Sequence, residues 1–133
     1  MLRRLALLSF LALGVVSCSE EDAADTNTRS GDIRGNDVWK DGVQLTGVIR
    51  IFEGATVTIE PGAKITCSES VLIQVGGKLV VNSPGAKHAT ISCKRWRGLL
   101  VAQNGQLDFN GLDIENAEVG IETTKGAGIV NGS

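Results

Sequence analysis

Four stretches of this chain share one internal register of apolar residues, and that register limits the fold more than any single motif does. In each stretch apolar residues alternate with polar or small ones, which is the pattern of a strand with one buried face. The pattern returns after 22, 28 and 20 residues, and repeats of this length are typical of a solenoid. We align the stretches on Ile51, Ile73, Val101 and Ile121.

Two further strands follow the alignment point in each repeat. The inward positions of the second strand are predicted to be Val57, Leu79, Leu107 and Ala127, followed by Ile59, Val81, Phe109 and Ile129. The inward pairs of the third strand are predicted to be Ile65 and Cys67, Ile91 and Cys93, and Leu112 and Ile114. Coils of three strands that stack roughly 4.8 Å apart pair each strand with its counterpart in the next coil. We therefore expect an all-β solenoid of about four coils, with residues 39–46 as a partial leading coil or cap.

The corners between strands carry a literal repeat. Pro61-Gly62-Ala63-Lys64 returns as Pro84-Gly85-Ala86-Lys87, and a proline followed by glycine is typical of a tight turn. Together with residues 54–62, 75–79 and 96–99, these corners make the chain resemble the right-handed parallel β-helix, the pectin-lyase-like fold of bacterial surface repeat proteins. The resemblance covers about residues 43–131 and implies the fold, while it says little about function.

The first seventeen residues are predicted to be an export signal. Arg3 and Arg4 precede an apolar core at residues 5–16, which is too short for a permanent membrane span. The segment from Val15 to Cys18 resembles the lipobox of bacterial lipoproteins, in which the cysteine becomes the lipid-modified N-terminus. By that resemblance Cys18 carries a diacylglycerol and an amide-linked acyl chain such as palmitate, and more than one chain makes anchoring stable. Ser19 differs from the aspartate that commonly retains such proteins in the inner membrane, which favours the outer membrane.

The mature chain divides into a tether and one small domain. Residues 18–36 are acidic and nearly free of large apolar groups, so we expect a flexible tether, followed by the β-helix at residues 37–133. Removal of Arg3 and Arg4 leaves 11 of the 13 basic residues against 15 acidic ones, a net charge of −4. This balance gives no support for nucleic-acid binding, which needs a concentrated basic face.

Two of the three cysteines fall at the same position in consecutive coils. Cys67 and Cys93 are therefore expected to stack inside the core, where an exported protein can oxidise them to a disulfide. Stacked cysteines in parallel strands can equally stay as buried thiols, so the sequence leaves both outcomes open. Two cysteines and His88 on a turn do not make a structural zinc site, and no metal or cofactor is expected.

No catalytic residue is assigned. The register places Asp108 and Asp113 on different faces without a carboxylate neighbour, whereas glycoside hydrolysis needs two carboxylates about 5 to 10 Å apart. His88 is the one candidate proton shuttle near neutral pH, and no nucleophile lies beside it in the register. We therefore interpret His88 as a solvated turn residue and predict that the chain is not an enzyme.

Two surface features are candidate binding sites. The first is a basic cluster with an aromatic residue, Lys94, Arg95, Trp96 and Arg97, which could hold an acidic glycan by stacking and charge. The alternative is that Trp96 only anchors the entry of a strand. The second is an apolar patch on the outer face of the first strands, expected to contain Phe52, Leu72, Leu100 and Ala102. Such patches often mark an interface, although cover by Trp39 and the segment that precedes it would explain the patch equally well.

These observations lead to three hypotheses about function. The first is a non-enzymatic outer-membrane lipoprotein whose solenoid acts in a cell-surface assembly for adhesion, cell contact or motility, with an envelope protein or a second copy as partner. The strand edges that follow Ile129 could accept such a partner. The second is a glycan-binding module, and the third is a fragmentary relative of polysaccharide lyases or hydrolases.

Overall fold

In the computed structural model the chain forms a parallel β-solenoid of about four turns. The structure describes residues 27–68, 70–83, 85 and 87–130, and within these ranges all regular structure is β-strand. The predicted fold class is therefore confirmed. The signal peptide, Cys18 and the first part of the tether lie outside the described residues.

Thirteen strands make up the solenoid. They are β1 (Thr28–Ile33), β2 (Asp37–Trp39), β3 (Gln44–Ile51), β4 (Thr56–Ile59), β5 (Lys64–Cys67), β6 (Leu72–Val75), β7 (Lys78–Asn82), β8 (Ala89–Trp96), β9 (Gly98–Val101), β10 (Gln106–Asn110), β11 (Leu112–Ala117), β12 (Ile121–Thr123) and β13 (Gly128–Val130). We call β1 and β2 the leading coil. Coil 1 contains β3 and β4, coil 2 contains β5 to β7, coil 3 contains β8 to β10, and coil 4 contains β11 to β13.

The strands form two parallel sheets. The larger has the order β11-β8-β5-β3-β6-β9-β12, with β1 beside β3, and the smaller has the order β13-β10-β7-β4-β2. Strand β3 pairs with β5 through its first two residues and with β6 through its last four. The larger sheet therefore has two parts. We call the part that contains β6 and β9 the first face, the smaller sheet the second face, and the part that contains β5, β8 and β11 the third face.

The core consists of columns of apolar side chains that stack from coil to coil. On the second face Val57, Leu79 and Leu107 are aligned, as are Ile59, Val81 and Phe109, which confirms the prediction for coils 1 to 3. On the third face Ile65 pairs with Ile91 and Cys67 with Cys93, again as predicted. Most of these side chains are fully buried, and apolar burial of this kind is the main stabilising contribution in a solenoid.

The predicted register is wrong by two residues on the first face. Ile73 pairs with Ile49 and Leu99, whereas the sequence alignment placed it opposite Ile51 and Val101. Similar shifts occur in coil 4, where Ile129 pairs with Leu107 rather than Phe109. Because side chains alternate with a period of two, a shift of two residues keeps every apolar group inside. The hydrophobic pattern therefore cannot distinguish the two registers, and the corner lengths decide between them.

Part of the predicted tether is instead a strand. Residues 28–33, which we expected to be flexible, form β1 and pair in parallel with β3. The leading coil thus begins before the predicted domain boundary at residue 37. Backbone pairing with a long strand explains this difference, since it does not require the large apolar side chains that the segment lacks.

A polar cluster closes the core at the leading coil. Arg29 and Asp37 occupy inward positions, because they pair with the buried residues Leu45 and Val57. Arg29 Nε donates to Asp37 Oδ2 over 2.7 Å, and the buried indole of Trp39 donates to the same oxygen over 3.0 Å. Inward-pointing charges at the end of a sheet discourage pairing with another chain. The leading end of the solenoid is therefore polar.

Candidate functional site

The corner between the first and second faces changes length from coil to coil. Residues 52–55 form this corner in coil 1, residues 102–105 in coil 3 and residues 124–127 in coil 4, four residues each. In coil 2 only Gly76 and Gly77 separate the paired strands. The short corner leaves a gap between its longer neighbours, which we call the notch.

The two walls of the notch are tight turns of the same kind. In residues 52–55 and 102–105 the N–H of the fourth residue donates to the C=O of the first over 2.9 Å. The third residues, Gly54 and Asn104, have φ angles of 91° and 67°, as a type II turn requires. Coils 1 and 3 are two rungs apart, roughly 9.6 Å. Allowing for the radii of the atoms leaves a space of roughly 6 Å.

The floor of the notch is bare backbone. The N–H groups of Gly76 and Gly77 both donate to the carbonyl of Ile51, over 2.7 and 2.9 Å. A Cβ atom at Gly77 would collide with the carbonyl oxygens of Phe52 and Ala55. Only glycine fits at this position without a backbone shift, so the sequence Gly-Gly keeps the corner short and free of side chains.

Side-chain amides surround this floor. Gln74, Gln103, Asn104 and Gln106 line two neighbouring hollows, which share Glu53 and Gly76 and which together form the notch. Three of the four glutamines of the chain are thus gathered here. Within the part of the chain that the structure describes, none of these four amides has a hydrogen-bond partner. Each amide carries two donor hydrogens and an acceptor oxygen, so the notch offers donors and acceptors to a ligand.

Charged groups and one aromatic ring lie at the rim. Arg50 stands on the first face and Lys78 on the second, while Glu53 projects from the coil 1 turn. Phe52 is partly buried in the same turn, and the guanidinium of Arg34 stacks 3.9 Å from its ring centroid. The notch therefore combines amides, charges of both signs and apolar surface.

The apolar patch expected from the sequence is not assembled as predicted. On the first face the outward residue opposite Leu100 is Gln74, and Leu72 lies opposite Val48 and Gly98. Gln74 therefore interrupts the column in which Leu72 and Leu100 were expected to be adjacent. The other two patch residues, Phe52 and Ala102, instead begin the turns on either side of the notch. The reason is the shift of two residues in the register.

Trp96 of the basic cluster is not available to stack on a sugar. Its side chain is 1% exposed, and its indole N–H donates to the carbonyl of Glu115 over 2.8 Å. Lys94, Arg95 and Arg97 are exposed at the corner between the third and first faces, where Arg97 lies 3.8 Å from Glu118. Of the two interpretations of this cluster, the burial of Trp96 favours the strand anchor.

Cys67 and Cys93 are joined by a disulfide that links coil 2 to coil 3. Their Cα atoms are 4.7 Å apart, within the range that a disulfide spans. On the third face, the bridge fastens coil 2, which contains the short corner, to coil 3. It leaves Cys18 as the remaining cysteine of the chain.

His88 and Asp113 form a pair that the sequence register missed. His88 Nδ1 lies 3.0 Å from Asp113 Oδ1, and both side chains are about half exposed. Asp113 was expected opposite Ser92, but it pairs with Thr90, which brings it beside His88. No serine, threonine or cysteine side chain within the described ranges is hydrogen-bonded to this histidine.

The notch could have been predicted from the lengths of the corners, although the pattern of apolar residues does not indicate it. Gly76-Gly77 stands where the neighbouring repeats have four residues, and each of those longer corners contains Gly or Asn at the turn position. Aligning corner lengths together with apolar columns would have located the gap.

Comparisons with known protein families, with curated proteins and with solved structures found no match to this chain. Among the residues described, no helix has the length and apolar character to cross a membrane. The same residues contain no group of three or more His, Cys, Asp or Glu side chains placed to hold a metal ion.

Proposed function

We propose that this chain is a lipoprotein of the bacterial outer membrane whose β-solenoid acts as a non-enzymatic interaction module in a cell-surface assembly. Adhesion, cell contact and motility machinery are assemblies of this kind. The pectin-lyase-like relationship, suggested by the Pro-Gly corners and the glycine-rich strand entries, is part of the same proposal. It concerns the ancestry of the solenoid and carries no activity.

The observation that carries the proposal is the notch. A short corner, held by a glycine that tolerates no Cβ atom, creates a concave site lined by amides without partners among the described residues. Polar groups that converge in a preformed hollow are typical of binding sites. A rigid stack of coils keeps such a hollow in one shape, because coils 1 to 3, which form the notch, are each paired on both sides.

The anchor is supported by the distribution of cysteines. Cys67 and Cys93 are paired with each other, and disulfides persist in exported proteins. The remaining cysteine, Cys18, occupies the modified position of the lipobox-like segment. A non-enzymatic role is favoured because His88, with Asp113 as its partner, is hydrogen-bonded to no nucleophilic side chain among the described residues.

Cell fractionation tests the anchor. The wild-type chain, expressed in a Gram-negative host, is expected in the outer-membrane fraction with a mass that includes the lipid. Cys18→Ala removes the acceptor sulfur and is expected to appear in the soluble fraction. Gln44→Ala is the control, since it leaves both Cys18 and the disulfide between Cys67 and Cys93 in place. Recovery of unmodified wild-type chain in the soluble fraction would contradict the lipoprotein assignment.

Cross-linking in intact envelopes tests the interaction role. The wild-type chain is expected to give a defined adduct that is lost in the double variant Gln103→Ala with Asn104→Gly. Gln44→Ala removes a glutamine on the third face, away from the notch, and is expected to keep the adduct. A chain that stays monomeric and free of adducts in all three forms would refute the interaction module.

A further inference from the structure

We infer that the notch binds one sugar ring of an envelope glycan, laid across the corner between the first and second faces. This inference rests on the proposed interaction role and names the ligand class of the same site. Three features of the notch support it: the width of the gap, the amide side chains that line it, and the backbone hydrogen bonds that Gly76 and Gly77 already make.

The width of the gap suits a ring better than a flat protein surface. The turns at residues 52–55 and 102–105 leave roughly 6 Å between them, which admits one ring or one extended chain. The bare floor at Gly76 and Gly77 lets the ligand approach the backbone closely. Larger partners can reach the floor only through a protruding group of that thickness.

The lining matches hydroxyl groups. Each sugar hydroxyl donates one hydrogen bond and accepts others, and a primary amide does both as well. Gln74 and Gln106 face the notch from its two open ends, while Gln103 and Asn104 stand on one wall. Phe52 on the opposite wall supplies apolar surface for the C–H groups of a ring.

An extended peptide fits the same gap less well. A peptide that adds to a sheet needs a row of unpaired backbone groups, but three of the four backbone N–H and C=O groups of Gly76 and Gly77 already have partners. Gly77 donates to the carbonyl of Ile51, and its carbonyl accepts the N–H of Gln106 over 2.8 Å. Recognition must therefore come mainly from side chains, and four of the side chains that line the notch are amides.

The test is saturation-transfer NMR on the full lipidated chain in detergent micelles. The probes are maltotriose, cellotriose and chitotriose, with a ten-residue Ser-Thr peptide of similar size as the competing ligand class. A second arm uses vesicles that contain lipopolysaccharide, to distinguish a lipid-borne glycan from a free polysaccharide. Binding in either arm, with the peptide inactive, supports the inference.

Two variants locate the binding. Asn104→Gly removes one amide and keeps the positive φ that the turn needs, and Gln103→Ala removes its neighbour. Each is expected to raise the dissociation constant about five- to tenfold, the loss of one hydrogen bond. Gln44→Ala is the matched control and is expected to leave the constant unchanged. Circular dichroism of each variant establishes that it is folded.

The outcomes separate this inference from the proposed function. No transfer to any sugar or vesicle, equal binding by the variants and the control, or stronger transfer to the peptide would overturn the sugar assignment. The anchor and a protein partner would then still stand. Cleavage of a bound sugar during the titration would overturn the non-enzymatic role and keep the binding site.

Discussion

Removing the disulfide between Cys67 and Cys93 is expected to lower the stability of the domain strongly. The two cysteines are 26 residues apart in sequence, so the bridge closes a loop of about one coil in the unfolded chain. The chain-entropy estimate for such a loop is about 3.5 kcal/mol at 25 °C. For a domain of this size, that corresponds to a decrease in the melting temperature of roughly 14 to 28 °C.

The assay is thermal unfolding of the double variant Cys67→Ala with Cys93→Ala, followed by circular dichroism. The wild-type chain is measured with and without a phosphine reductant, and mass spectrometry after alkylation counts the free thiols. Reduction is expected to destabilise the wild-type chain and to leave the variant unchanged. A fully reduced wild-type chain that melts within about 2 °C of the oxidised one would refute the reasoning, because the loss of a constraint on this loop must appear as lost stability.

Three smaller changes test other parts of the structure. Gly77→Ala places a Cβ atom against two carbonyl oxygens and is expected to cost about 1 to 3 kcal/mol in urea unfolding, whereas Gly120→Ala, with open space around it, is expected to cost nothing. Asp37→Ala removes the shared acceptor of an indole and a guanidinium, and should cost about 1 to 3 kcal/mol. The more exposed Asp32→Ala is the control and should cost less than about 1 kcal/mol. His88→Ala, which breaks a half-exposed pair, should also change the unfolding free energy by less than about 1 kcal/mol. If Gly77→Ala lost no more stability than its control Gly120→Ala, or Asp37→Ala no more than Asp32→Ala, the contacts on which these expectations rest would be contradicted. A large loss of stability in His88→Ala would contradict them as well.

The sequence predicts the architecture because inward and outward positions alternate so regularly. Val57, Leu79 and Leu107 follow one another at the expected spacing, and the structure stacks them in one buried column. The same regularity limits what can be predicted, because a shift of two residues leaves the pattern intact. The pairing of Ile73 with Ile49 depends on corner lengths, which the apolar pattern does not record.

The candidate site depends on the corner lengths, which the apolar pattern does not record. Asp113 reaches His88, and Gln74 separates the two predicted patch leucines, only in the true register. The notch itself is a difference in corner length, since Gly76 and Gly77 replace four residues in the neighbouring coils. A search for similar repeats ignores such a difference in length, although here the difference creates a concave, amide-lined surface.

The leading coil shows a second limit of sequence patterns. Arg29 looks like an ordinary solvated charge in an acidic, apolar-poor segment where composition favours a tether, and Asp37 is the first residue after that segment. In the structure they occupy inward positions and bind each other where the core ends. A charged residue at a core position is recognisable only after the strand that carries it has been placed in register.

Lengthening the short corner tests the central claim most directly. Replacing Gly76-Gly77 with the four-residue sequence Ala-Gln-Asn-Gly of residues 102–105 fills the notch with a turn that coil 3 already accommodates. The dissociation constant for the trisaccharide that binds the wild-type chain best is then measured by calorimetry, with the melting temperature as the check on folding. We predict a loss of affinity of at least about tenfold at an unchanged melting temperature. A folded variant that binds the sugar as well as the wild-type chain would contradict the assignment of the notch as the binding site.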